Sequence, residues 1–265
     1  MFDPQKPNRI LCAFLAGVLL LLAFSLAVSA EKKQNDSNSW YCVHVRDHLR
    51  PSADATLSFI EELGGYYLDS RPEEKVVYLT FDAGYENGNV AKILDALHEE
   101  GVPAAFFILR NLIEKNPDLV ERMIAEGHLV CNHTVHHKNM CLATDEELLE
   151  ELHGLEESYR KLTGNEMPKY YRPPEGRFSR ENLICTNANG YKTIFWSFAY
   201  PDWNNNRQMS PERAKRIILD NLHNGEVMLL HPTSQTNAEI LPDILREIKA
   251  AGYRFGTLDE LTQTR

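Results

Sequence analysis

Two histidines four residues apart, His133 and His137, stand in the string NHTVHH. Elsewhere lie Asp82 in TFDAG, Arg172 in YRPPEG, Asp202 in AYPDW and His231 in LLHP. Imidazoles four apart on a helical turn face one way, as a divalent metal needs. His136 offers a third imidazole, out of phase with those two. Each of the other residues has an ordinary explanation: Asp82 caps a helix, Arg172 lies on the surface, Asp202 turns the chain beside Trp203, His231 packs in a core. The joint pattern of carboxylates, histidines and an arginine is that of a metal site with acid–base partners.

What brings them together is an alternation of strand-like and helix-like patterns that starts at Lys75. Strands are predicted over 76–81, 104–108, 128–131, 169–172, 192–197, 227–230 and 253–256, from their β-branched, aromatic and apolar runs. Between them apolar residues recur at helical spacing, as at Val90, Ile93, Leu94 and Leu97. Thr144 and Glu147 form a capping box, and Ser210-Pro211 caps another helix with proline at its first position. Seven such units imply a parallel sheet with helices outside. An open doubly wound sheet fits the count, as does a barrel one unit short of eight. Both place ligands at the C-terminal ends of the strands, and the residues above follow strands one, three, four, five and six.

The chain of 265 residues is 43% hydrophobic and 25% charged, enough for one large domain. A net charge of −10 without a long basic run argues against nucleic acid as a partner. Segment 1–30 has the layout of a secretory signal: Lys6 and Arg9, an apolar run from Ile10 to Ala30, and small residues Val28-Ser29-Ala30 before Glu31. That run is also roughly long enough to span a bilayer. The protein is therefore expected to be exported, and either secreted or anchored to the membrane by this segment alone. Residues 31–74 are expected to form a tether and an N-terminal cap, and 75–265 the main domain. Cys12 lies in the apolar run. Cys42, Cys131, Cys141 and Cys185 have irregular spacings and are expected to be buried thiols rather than bridges.

The order TFD-x-G, H-[ST]-x-x-H, R-x-P-x-G, D-W and L-x-H resembles the polysaccharide deacetylase, or NodB-homology, family over about 75–262. The strings FDAGYENG, VPAAFFI, YRPPEG and WSFAYPDW are similar to its delta-lactam-biosynthetic branch, the muramic acid de-N-acetylases of the spore cortex. The resemblance implies a distorted (β/α)7 barrel. It implies that His133 and His137 bind one divalent cation, with zinc first and manganese, cobalt and magnesium as alternatives. By the same resemblance Asp82 is the general base toward the attacking water and Arg172 holds it. His231 is the general acid for the leaving amine, and Asp202 orients and charges it. Trp203, Arg177, Tyr85 and Arg207 are the candidates for substrate binding.

This sequence departs from the family at two positions. Most members carry a third metal-binding Asp after the base; here that position is Ala83, which offers no donor, so metal affinity is expected to be modest. Glu175 stands where a basic residue is expected in the branch. A free lactyl carboxylate on muramic acid needs a cation, and Arg177 or Arg207 is expected to supply it. The leading expectation is a peptidoglycan N-acetylmuramic acid deacetylase whose product closes to muramic δ-lactam. The alternatives are an N-acetylglucosamine or chitin-type deacetylase, and a metal-free pseudoenzyme that only binds glycan.

Overall fold

The strand that carries Asp82 is the centre of the molecule. Val76–Ala83 is buried along nearly its whole length, as befits a parallel strand covered on both faces. The computed structural model describes residues 37–263. Segment 1–30, expected to be a signal or anchor, and Cys12 within it lie outside the described residues.

In chain order the elements are β1 (Asn38–Ser39), α1 (Phe59–Glu62), β2 (Gly65–Tyr66), β3 (Val76–Ala83), α2 (Val90–Glu100), β4 (Ala105–Ile108), α3 (Arg110–Lys115) and α4 (Pro117–Ala125). They continue with β5 (Leu129–Asn132), α5 (Asp145–Thr163), β6 (Tyr170–Tyr171), β7 (Arg177–Phe178), α6 (Arg180–Ala188), β8 (Lys192–Ile194) and β9 (Phe198–Ala199). The last are α7 (Pro211–Asp220), β10 (Glu226–Leu230), α8 (Gln235–Ala250), β11 (Arg254–Phe255) and α9 (Leu258–Gln263).

The main sheet runs β2-β8-β6-β5-β4-β3-β10-β9, and its neighbouring strands are parallel. β11 pairs with Val76 and Val77 at the start of β3, while β4 takes Thr80 to Ala83. The run 192–199 serves both ends of the sheet. Its first half pairs with β6 and β2; its second half pairs with β10, and Ser197 N donates to the Val227 carbonyl at 2.9 Å. One bent run thus joins the two ends, and the sheet curls into the distorted (β/α)7 barrel. Of the single strand expected over 192–197 only 192–194 forms one, and a second follows at 198–199, because a run that follows one neighbour and then another cannot keep one ladder.

Helices cover the outside. The inward residues of α2, α4, α7 and α8 join Phe81, Phe106 and Leu230 in one apolar core. α5 begins at the expected capping box, with Glu147 N on Thr144 Oγ1 at 3.2 Å and Thr144 N on Glu147 Oε2 at 2.7 Å. Residues N-terminal to the barrel pack onto it. β2 joins the sheet itself, beside β8. β1 pairs antiparallel with β7. Trp40 follows, buried, with its N–H on the Gly176 carbonyl and its indole Nε1 on the Trp196 carbonyl, both at 2.8 Å. This strap lies against the loop that leaves β6.

Candidate active site

Asp82 sits near the C-terminal end of β3 and Arg172 directly after β6. Arg172 is fully buried. Its Nη1 donates to Asp82 Oδ1 at 2.7 Å, Nη2 to Thr80 Oγ1 at 2.9 Å, and Nε to the Ile194 carbonyl at 3.0 Å. The guanidinium also lies 4.2 Å from the centre of the Phe107 ring. A buried cation held on so many sides fixes the carboxylate it meets. Burial works to raise the Asp82 pKa, but Arg172 foremost, with His133 and His231, outweighs it and holds the carboxyl below its ordinary value. Asp82 is therefore an anion with Oδ2 free to accept a proton.

That oxygen faces His133 Nε2 at 3.6 Å. His133 follows β5, and its Nδ1 lies 2.8 Å from the Arg172 carbonyl. A carbonyl only accepts, so Nδ1 carries the proton and Nε2 keeps its lone pair. Burial pushes the His133 pKa down to about 4, against the pull of Asp82. The His137 ring centre is 4.9 Å from that of His133, with the planes at 68°. The spacing had suggested a helical turn. The structure brings the two rings together by another route: 133–137 is not helical, and Thr134 (φ 74°) and His137 (φ 56°) adopt left-handed backbone. His136 donates Nδ1 to Glu151 Oε1 at 2.7 Å.

On the opposite wall His231 follows β10. Its Nδ1 is 2.8 Å from Asp202 Oδ1, and its backbone N–H meets Asp202 Oδ2 at 2.7 Å. Asn237 Nδ2 also donates to Asp202 Oδ2, at 2.6 Å. The buried carboxylate holds His231 at the ring Nδ1 and at the backbone N–H. Burial disfavours the charged ring, but Asp202, by charge and by hydrogen bond, prevails and raises the His231 pKa above the ordinary histidine value.

Asp82, His137 and His231 open onto one cleft of about 720 Å³. Its other walls include Trp40, Tyr41, Trp196, Tyr200 and Trp203. Trp203 is 63% exposed and presents a flat apolar face at the cleft. Trp40 and Tyr41 belong to the segment expected to cap the main domain, but nothing in its pattern signals that these two rings reach the cleft. Tyr85 is half exposed and accepts a hydrogen bond from Asn205 at 2.7 Å. Tyr85, Arg177 and Arg207 are not among the residues lining the cleft. Arg177 Nε instead meets Glu175 Oε2 at 3.0 Å, and Glu175 does line it. Another hollow, of about 510 Å³, lies behind the histidine loop beside Arg110, Lys138 and Leu142, but none of Asp82, Asp202 and His231 reaches it. Cys42, Cys131, Cys141 and Cys185 are free thiols, the last three buried.

Among the described residues no group of three or more His, Cys, Asp or Glu side chains is disposed to hold a metal. Ala83, buried next to Asp82, contributes no donor atom. The donors that fit a cation are His133 Nε2 and the neighbouring His137 ring. Neutral imidazoles suit a divalent transition ion whose remaining positions go to water or substrate.

Residues 69–194 match the family model of polysaccharide deacetylases. The chain is 36% identical over 252 residues to the peptidoglycan-N-acetylmuramic acid deacetylase PdaA of Bacillus subtilis, covering 95% of each. It is 34% identical over 203 residues to a peptidoglycan-N-acetylglucosamine deacetylase of Bacillus cereus, covering 75% of this chain and 72% of that one. The solved structure of Bacillus subtilis PdaA, a family 4 carbohydrate esterase, aligns with a TM-score of 0.82 at 38% identity, over 86% of this chain and 97% of that one. The chain belongs to the polysaccharide deacetylase family, as its motifs had indicated.

Proposed function

We propose that the protein removes the N-acetyl group from N-acetylmuramic acid residues of peptidoglycan. The observation that carries this reading is the 36% identity with Bacillus subtilis PdaA over 95% of both chains, joined to the acid–base arrangement of the cleft. The two carboxylate–histidine walls divide the chemistry. Asp82, held as an anion by Arg172, takes the proton of the attacking water. The departing amine is too basic to leave as an anion. Protonated His231, kept charged and oriented by Asp202, gives it a proton. Trp203 and Tyr41 offer apolar faces to the glycan. His133 and His137 would hold one divalent cation, zinc ahead of manganese, cobalt and magnesium, which when bound polarises the amide carbonyl and acidifies water. Asp82 and His231 also set this chain apart from a glycan-binding pseudoenzyme, since binding alone needs no general acid.

The freed amine lies beside the lactyl group of muramic acid, so closure to the δ-lactam can follow. For a free lactyl carboxylate we assign Arg177 as the partner, with Arg207 second and Tyr85 at the rim. An extracytoplasmic location goes with a peptidoglycan substrate. Among the described residues no helix is long and apolar enough to cross a membrane; we assign any anchoring to segment 1–30 from its apolar run. One observation favours a second reading, deacetylation of N-acetylglucosamine: among the described residues no Lys or Arg lines the cleft, and Glu175 already engages Arg177. Incubation with defined glycan strands, with and without stem peptides, followed by mass analysis of each sugar, separates the two. Acetyl loss from peptide-free muramic residues is the expected result. Acetyl loss confined to glucosamine residues decides for the second reading.

A further inference from the structure

We infer that Glu151 is a positioning residue for the histidine pair: from α5 its carboxylate braces the 133–138 loop in the shape that aims His133 and His137 at one point. The loop needs a brace. Thr134 and His137 are non-glycine residues in left-handed backbone, where the Cβ crowds the following carbonyl oxygen. Such residues persist only where their surroundings over-determine them.

The bonds that do so converge from α5 and the end of β5. Asn132 Oδ1 accepts from Thr134 N at 2.9 Å, while Asn132 Nδ2 donates to the Leu152 carbonyl at 2.9 Å. Thr134 Oγ1 accepts from His137 N at 3.0 Å. Between these anchors the Val135 and His136 N–H groups both point at Glu151 Oε2, at 3.0 and 2.9 Å. Oε1 of the same carboxylate takes His136 Nδ1 at 2.7 Å and Lys138 Nζ at 2.9 Å. One buried carboxylate thus grips the peptides between the two histidines and the side chains on either side of His137. The His136 and Lys138 side chains are more than half exposed, so as ion pairs they add little. Their part is to neutralise a carboxylate whose task is to hold backbone.

Ala83 gives this brace its weight. This inference rests on the proposed cation site only in its affinity arm. With no donor at Ala83, the affinity of the site rests chiefly on two imidazoles, and their prior alignment counts for more. Residues that orient metal ligands from behind commonly contribute about 10–100-fold in affinity.

The test uses the full chain with Glu151→Ala and, as the conservative variant, Glu151→Gln, whose amide oxygen still accepts an N–H. Amide hydrogen exchange is followed on metal-free protein, and zinc and manganese dissociation constants are measured by calorimetry. We expect Glu151→Ala to expose the Val135 and His136 amides to exchange while β5 stays protected. Cation binding should weaken about 10–100-fold, and Glu151→Gln should recover part of both. If wild type binds neither ion yet Glu151→Ala still frees those two amides, the positioning role holds and the metal reading falls. Unchanged exchange at Val135 and His136, or protection lost evenly across the barrel, overturns the inference.

Discussion

Asp202 and Asp82 are both near-buried carboxylates beside a histidine, yet their neighbours give them different tasks. Asp82 is tied to a buried guanidinium and keeps one oxygen toward the cleft. Asp202 gives both oxygens to His231 and Asn237 and acts through the ring it holds. Because Asp202 raises the His231 pKa, the protonated acid should survive to a pH above 6.5, the ordinary histidine value. The alkaline limb of kcat/KM should lie there, and Asp202→Asn should move it down, since only the weaker pull of Asp82 then opposes burial; a limb unmoved by that change contradicts the role of Asp202. Linkage has the same sign: stability from charged His231 is full below about 6.5 and is lost as pH rises through the raised folded value. Ala83→Asp should tighten zinc binding measured by calorimetry, because it restores a donor next to Asp82; equal affinity in the two proteins denies that the cation sits there. The chemistry-bearing residues were legible because they follow apolar strands at equivalent positions. Glu151 was not, since it is one of several glutamates on α5 and only the fold turns it toward the loop.

At the scale of elements, the same outcome arose from a different cause than spacing suggested. His133 and His137 do meet, but through left-handed residues at Thr134 and His137 rather than a helical turn. Interval alone does not report φ, and neither position carries the glycine that usually announces such backbone. The strap is a second case. Residues 38 and 39 read as the end of a tether and Trp40 onward as a cap; the structure pairs β1 with β7, and Tyr41 lines the cleft while 56% exposed. Its pairing with β7 depends on Gly176, whose φ of 65° and approach to the Trp196 ring leave 2.7 Å for a Cβ. Tyr41→Ala should raise KM for glycan strands about fivefold, the order of 1 kcal/mol expected of a part-buried ring, with kcat nearly unchanged. Steady-state kinetics on soluble strands decide it; a fall in kcat at constant KM places Tyr41 elsewhere in the reaction.

For the whole molecule, seven alternating units foretold a parallel sheet, but periodicity did not choose between an open sheet and a barrel. The choice depends on which run changes neighbours, and 192–199 does so at a bend that leaves no mark in apolar pattern. β2, two residues long, was too short to register. The barrel also carries a cost at the start of β10. Glu226 is fully buried and accepts His223 N at 3.1 Å through Oε2, while Oε1 has no partner among the described residues. Burial raises its pKa well above 4.5. The unfolded chain ionises near that value while the folded one stays neutral. The contribution of Glu226 to stability should therefore fall as pH rises from about 4.5, by about 1.4 kcal/mol per pH unit until the folded group titrates. Glu226→Gln removes this dependence and should be the more stable protein at pH 8 by thermal unfolding. Lower stability of Glu226→Gln at pH 8 than wild type refutes the neutral buried carboxyl.

The central claim is that this cleft hydrolyses an amide with Asp82 as base. Acetate release from peptide-free peptidoglycan strands by wild type and Asp82→Asn, side by side, tests it most directly. Asparagine keeps an oxygen for Arg172, so the variant should remain folded by circular dichroism. The account predicts acetate from wild type and a rate about 10²–10⁴-fold lower from Asp82→Asn. Release by the folded variant within a few-fold of wild type would contradict it.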